Sequence, residues 1–207
     1  MKIISLCCKE RKQLMTVEFK AKGNHFIFYL TGDGGFTKST KILCSLFQTH
    51  NINVISMNTH FFWGGKTLTQ AVNAFEDVVT QIDQKTKIER ITVIGYSFGA
   101  DITPFIINNI SDSLRSRISN VVLLSPSKRT DLKISLKSLI FQKQAGKLDV
   151  VSEINKIALP VKILLNDHDS LSDLNFNEGV TVKRLPGNHH FDYKYDLLVK
   201  TILDVIK

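Results

Sequence analysis

No run of eighteen apolar residues occurs anywhere in the chain, so no segment is built to cross a bilayer as a helix. Cysteine is scarce. Cys7, Cys8 and Cys44 are the whole complement, two of them adjacent, so reduced thiols are expected rather than a disulfide framework, and no pair has zinc-finger spacing. No G-K-[ST] follows the glycine-rich stretch, and neither G-x-G-x-x-G nor H-E-x-x-H is present. A nucleotide-phosphate loop and a metalloprotease helix are thereby excluded, and no metal or other cofactor is expected. Arginine-rich tracts and aromatic-basic interleaving are missing too. The net charge of +8 is scattered, with only "KERK" and "SKRT" as local clusters. That pattern argues against a nucleic-acid partner and for a basic surface able to make peripheral contact with an anionic membrane. The apolar opening "MKIISLCC" is cut short by Lys9, Glu10, Arg11 and Lys12 before a signal-peptide core can form, so a cytoplasmic location is expected from these residues.

What is present is a soluble-protein composition, 43% hydrophobic and 22% charged, in 207 residues, enough for one full core. Residues 1–15 read as an N-terminal extension and 16–207 as a single domain. Short β-rich runs ("TVEF", "HFIFYL", "NVISM", "ITVIGY", "NVVLLS", "VKILLN", "VTVKRL") alternate with segments whose apolar residues recur every three to four positions. Runs such as "ITVIG" are apolar on both faces. The alternation therefore predicts an α/β fold with a mostly parallel, doubly wound sheet. Only "KAKGN" separates the first two strands, which predicts an antiparallel hairpin at one edge. The segment from Lys128 to Lys156 is expected to be helical with an irregular connection, too short for more than a minimal lid.

In such a sheet ligands bind beyond the carboxyl ends of the strands, and four loops there carry reactive groups. Gly95-Tyr96-Ser97-Phe98-Gly99 is a G-x-S-x-G between strand and helix, the turn that lifts a nucleophilic serine clear of the sheet. In "YLTGDGGF" the Asp33 N–H, opposite the Phe98 N–H, is a candidate for an oxyanion hole, with Gly34 and Tyr96 as further candidates for substrate contact. "NDHDSLSD" places Asp167, His168 and Asp169 in one loop. Asp169, four residues past the last leucine of the strand, is the preferred acid over Asp167. "LPGNHHFD" supplies a base, His190 being favoured and His189 the alternative. The order Ser97, Asp169, His190 is the chain order of an α/β-hydrolase triad. Asp101, four residues after Ser97 on the same helix face, is expected with Asp33 to make the site acidic.

The segments "LTGDGGF", "SMNTHFFWGGKT", "IGYSFGADITPFIIN", "LLSPSKRTDL", "DSL" and "LPGNHHFDYKY" resemble the bacterial virulence-protein family VirJ/AcvB, a group with the α/β-hydrolase fold. The resemblance covers nearly everything after the first fifteen residues. It implies a periplasmic serine hydrolase that removes the aminoacyl group from lysyl-phosphatidylglycerol, with Ser97 as nucleophile, Asp169 as acid and His190 as base. An aminoacyl-phospholipid, or another small ester, is the implied substrate. Asp101 would then meet its ammonium group. Phe36 departs from the family, which often has tryptophan after its Gly-Gly.

Overall fold

The computed structural model describes residues 2–5, 15–135, 146–169, 171 and 175–206. Its centre is an eight-stranded sheet made of β1 (Lys2–Ser5), β2 (Met15–Phe19), β3 (His25–Leu30), β4 (Asn53–Met57), β5 (Arg90–Tyr96), β6 (Ile118–Leu124), β9 (Val161–Leu165) and β10 (Val180–Arg184). The spatial order is β1-β2-β4-β3-β5-β6-β9-β10. β1 and β2 run antiparallel to their neighbours, and every other pairing in the sheet is parallel. Two short strands, β7 (Arg129–Thr130) and β8 (Leu148–Asp149), form a separate ribbon.

Alternate side chains of the central strands enter two cores. Ile91 and Val93 of β5, with Val121 and Leu123 of β6, face the helices α2 (Leu68–Asp83), α3 (Phe98–Asn109) and α5 (Val150–Ile154). Ile94, Val122 and Leu124 face α1 (Lys38–Thr49) and α6 (Tyr195–Ile206) on the other side. A short α4 (Asp112–Arg115) follows α3. Burial on both faces is why these strands read as unbroken apolar runs. The helices start where the sequence supplies caps: Thr37 accepts from the Thr40 amide, and Thr67 forms a capping box with Gln70.

Residues 2–5, within the expected N-terminal extension, form the outermost strand of the sheet. The expected hairpin of β2 with β3 is absent, because β4 lies between them. The side chain of Asn53, first residue of β4, explains it: its Oδ1 accepts from Ala21 N at 2.8 Å and its Nδ2 donates to Gly23 O. The short 20–24 connection is thus fastened across the start of β4 and cannot close as a tight turn. In the segment read as helical, the described residues form the β7–β8 ribbon and the short α5; residues 136–145 lie outside those described, as do Cys7 and Cys8.

Candidate active site

Ser97 stands between β5 and α3 with φ 52° and ψ −121°, a region that side-chain-bearing residues rarely occupy. The flanking glycines make this corner possible. A Cβ on Gly95 would meet Gly99 O at 2.5 Å and Ala100 Cα at 2.6 Å, and one on Gly99 would meet Leu30 O at 2.3 Å and Thr31 O at 2.4 Å. Ser97 N donates to Leu124 O of β6 at 2.8 Å, and its carbonyl accepts from Asp101 N at 3.0 Å. The hydroxyl is therefore presented at the carboxyl edge of the sheet from a rigidly held backbone.

The imidazole that reaches it is His189. Its Nε2 lies 3.0 Å from Ser97 Oγ. His190, the favoured base in the sequence, is turned elsewhere: its Nδ1 is 2.7 Å from the Tyr96 hydroxyl and its ring stacks on Tyr193 at 5.5 Å. The physical reason is the backbone that follows. Phe191, Asp192 and Tyr193 all have φ between 50° and 58°, a left-handed turn held by the buried Phe191 side chain and by Asn188. The side chain of Asn188 accepts from His190 N, and its amide donates to Asp192 Oδ1.

Tyr96 ties this loop to the nucleophile's strand. Its hydroxyl donates to His189 O at 3.1 Å, and a carbonyl oxygen can only accept. His190 must then carry its proton on Nδ1 and donate it to Tyr96. Tyr96 was a candidate for substrate contact; the structure instead gives its hydroxyl to the histidine pair. Burial pushes its phenol pKa well up, the nearby carboxylates Asp33 and Asp169 adding to the effect.

Burial of the imidazole pushes the His189 pKa below its ordinary value, and the charge of His190 adds to this, while Asp169 and Asp33 act in the opposite direction. Asp169 is held in its loop after β9: its Oδ2 accepts from Asn166 N at 2.8 Å, and Arg184 donates to its carbonyl at 3.0 Å. Asp167 has a different partner. Its Oδ2 accepts from Gly187 N at 2.9 Å and its amide donates to Gly187 O, joining the acid loop to the histidine loop. Beneath them Asn166 donates to Ser125 Oγ at 3.0 Å, a buried link between the ends of β9 and β6.

The loop after β3 lies against Ser97. A Cβ on Gly32 would be 3.5 Å from that of Ser97 and 3.2 Å from the Tyr96 ring. Gly32 O accepts from Gly35 N at 2.9 Å, making a tight turn with Asp33 and Gly34 at its centre. Neither Asp33 N nor Phe98 N donates to another described residue. Gly34 is exposed on this turn.

Asp101 does not face the open site, which corrects its expected contact with substrate. It is 6% exposed, and its Oδ1 accepts from Ser127 N at 2.6 Å. Burial pushes its pKa up to about 7, outweighing the hydrogen bonds from Ser127 and Thr130 that oppose the shift. Four-residue spacing puts it on the helix face of Ser97, but at Asp101 that face is covered by the segment after β6 that carries Ser127 and Thr130. Sequence reasoning gave no role to Thr59 or His60, which hold the Asp33 turn; three polar residues, Asn58-Thr59-His60, directly after the buried strand β4 were the available signal. Among the described residues no group of three His, Cys, Asp or Glu side chains could hold a metal ion, and no helix is long and apolar enough to cross a membrane.

The sheet order, the serine corner and the loop positions define the α/β-hydrolase fold. Solved structures share it at low identity. Est1E from Butyrivibrio proteoclasticus superposes with a TM-score of 0.71 at 14% identity, over 98% of this chain and 96% of that one. The α/β hydrolase GrgF from Penicillium sp. sh18 gives 0.72 at 12%, over 94% and 93%. Proline iminopeptidase from Mycobacterium smegmatis gives 0.70 at 11%, over 99% and 97%. A search of curated proteins finds no match. The family model described as bacterial virulence protein (VirJ) matches residues 24–207, and the chain belongs to that family.

Proposed function

We propose that this protein is a serine hydrolase that cleaves carboxylic esters, its substrate being the aminoacyl ester of lysyl-phosphatidylglycerol or a related aminoacyl lipid. The observation that carries the reading is the 3.0 Å approach of His189 Nε2 to Ser97 Oγ, with Ser97 on a backbone corner at φ 52°. In the reaction, Ser97 Oγ attacks the ester carbonyl as its proton passes to His189 Nε2. The imidazolium is stabilised by the Asp169 carboxylate. The negative charge developing on the carbonyl oxygen is met by the N–H groups of Asp33 and Phe98, neither of which donates to another described residue. His189 then returns the proton to the departing alcohol, and a water repeats the sequence to release the acid.

The finer reading draws on the family and on charge. Asp33 forms no ion pair among the described residues, although the chain carries 27 Lys and Arg. Its negative charge acts on His189 and Tyr96, raising the pKa of each. That leaves one acidic group beside the nucleophile for the ammonium of an aminoacyl chain. The basic surface would draw the protein to the anionic membrane where such lipids reside.

The test has two stages. A fluorophosphonate probe should label the protein and fail to label Ser97→Ala; equal labelling of both would leave a binding protein on a hydrolase fold. Pure protein incubated with a bacterial lipid extract should then deplete lysyl-phosphatidylglycerol with release of lysine. Labelling without loss of any aminoacyl lipid would reduce the reading to a general carboxylesterase or thioesterase.

A further inference from the structure

We infer that Thr59 and His60 are positioning residues that fix the two peptide planes of the oxyanion turn, Thr59 aiming the Asp33 N–H and His60 keeping the Asp33 carbonyl from swinging to the opposite side, and so set the stabilisation that the turn delivers. The inference rests on the reading of Asp33 N–H as an oxyanion donor.

A trans peptide is planar, with its C=O and N–H pointing to opposite sides. Whatever grips the Gly32 carbonyl therefore aims the Asp33 N–H. Two donors grip it: Gly35 N within the turn, and the Thr59 hydroxyl from the end of β4. Thr59 is 2% exposed and is itself held on both sides, for its amide donates to Thr31 Oγ1 at 3.1 Å. Because the single hydroxyl proton of Thr59 goes to a carbonyl, the 3.0 Å contact between the two hydroxyls must have Thr31 as donor. The result is a buried relay, Thr31 to Thr59 to Gly32 O, every member satisfied. Its outcome is an Asp33 N–H directed away from Thr59, on the loop that lies against Ser97.

His60 acts on the next plane. Its Nε2 lies 3.1 Å from Asp33 O, and since a carbonyl only accepts, the proton sits on Nε2. The Asp33–Gly34 peptide is the central one of a four-residue turn. This is the plane that differs by about half a rotation between type I and type II turns, and glycine at the third position opens both. Without an anchor the carbonyl is free to swing to the side where Gly34 N–H now points. His60 selects one arrangement, and its own amide is fixed by Asn58 Oδ1 at 3.0 Å. Gly35, with φ 67°, fits against this pair, since a Cβ there would lie 2.6 Å from Asn58 Oδ1 and 2.9 Å from the His60 ring.

The experiment compares p-nitrophenyl acetate with its thiono counterpart, whose sulfur accepts hydrogen bonds poorly, in the wild type and in Thr59→Val, Thr59→Ser, His60→Phe and His60→Gln. Thr59→Val and His60→Phe should lower kcat on the oxo ester about 10- to 100-fold, less than outright removal of a donor, with KM within about twofold. In both the preference for oxo over thiono ester should shrink, and Thr59→Ser and His60→Gln should restore it. Wild-type kcat and wild-type preference in Thr59→Val and His60→Phe would overturn the inference. A wild-type protein with no preference for the oxo ester would instead overturn the oxyanion reading beneath it. Should the buried Thr59→Val fail to fold, the exposed His60 pair decides the question by the same ratio.

Discussion

The Tyr96 hydroxyl is bonded to both histidines of the site at once, donating to the carbonyl of His189 and accepting from Nδ1 of His190. It divides their labour: one imidazole is left facing Ser97 and the other becomes part of the frame.

The two histidines should therefore differ sharply on substitution. His189→Ala removes the group that takes the serine proton and should lower kcat on an activated ester by about 10⁴-fold or more. His190→Ala removes a support and should cost about tenfold or less. Steady-state kinetics on the two variants checks the assignment, and the reverse ranking would return the base to His190.

Tyr96→Phe leaves the ring packing and deletes the tie. The histidine loop should loosen, lowering kcat several-fold. The lost hydrogen bonds should reduce stability by about 1 kcal/mol in urea unfolding. Unchanged kinetics would show that the loop holds its shape without the hydroxyl.

The acid limb of kcat/KM should report His189. A base must be neutral to accept a proton, and burial lowers this imidazole below the ordinary 6.5. Activity should rise with pH through a midpoint under 6.5 and be level across neutrality. A midpoint above 7 would contradict the burial argument.

Asp101 governs stability rather than specificity. Its pKa is raised to about 7 in the folded protein and is near 4 unfolded, so between those values the native state binds the extra proton. This group's contribution is full below about pH 4, falls as pH rises to about 7, and is constant above. Asp101→Asn has no such charge to bury, so the stability difference between wild type and variant should decline over that window. Denaturation midpoints at pH 5 and pH 8 measure it. Lysyl and alanyl esters should be affected alike by the change, because Asp101 is turned to Ser127.

Gly99→Ala tests the serine corner. The added methyl would stand 2.3 Å from Leu30 O and 2.4 Å from Thr31 O, so α3 must move off β3. A loss of about 3 kcal/mol or more, with loss of fluorophosphonate labelling, is expected. A fully labelled, equally stable variant would show that the corner has slack.

Local sequence was informative wherever one segment sufficed. The Ser97 corner was legible because strand, glycines and helix are contiguous. The alternation of apolar runs gave the doubly wound sheet for the same reason. What was not legible depended on distant partners. His189 and His190 are indistinguishable neighbours until the left-handed turn after them is known, and Tyr96, over ninety residues away, completes the choice. Asp101 had the right spacing, but the loop that covers it comes from the other end of β6. The missing hairpin turned on the side chain of Asn53, some thirty residues past the connection it fastens.

Three consecutive side-chain-bearing residues, Phe191, Asp192 and Tyr193, sit in a backbone region that costs each of them about 1–2 kcal/mol. The surrounding packing must supply that energy continuously, and Phe191 is the one member of the three that is buried. On heating, this corner should let go while the sheet is still intact. The working ceiling of the protein is then set by the residues that come after its histidines, and its catalytic half-life at a given temperature should be shorter than its melting curve suggests.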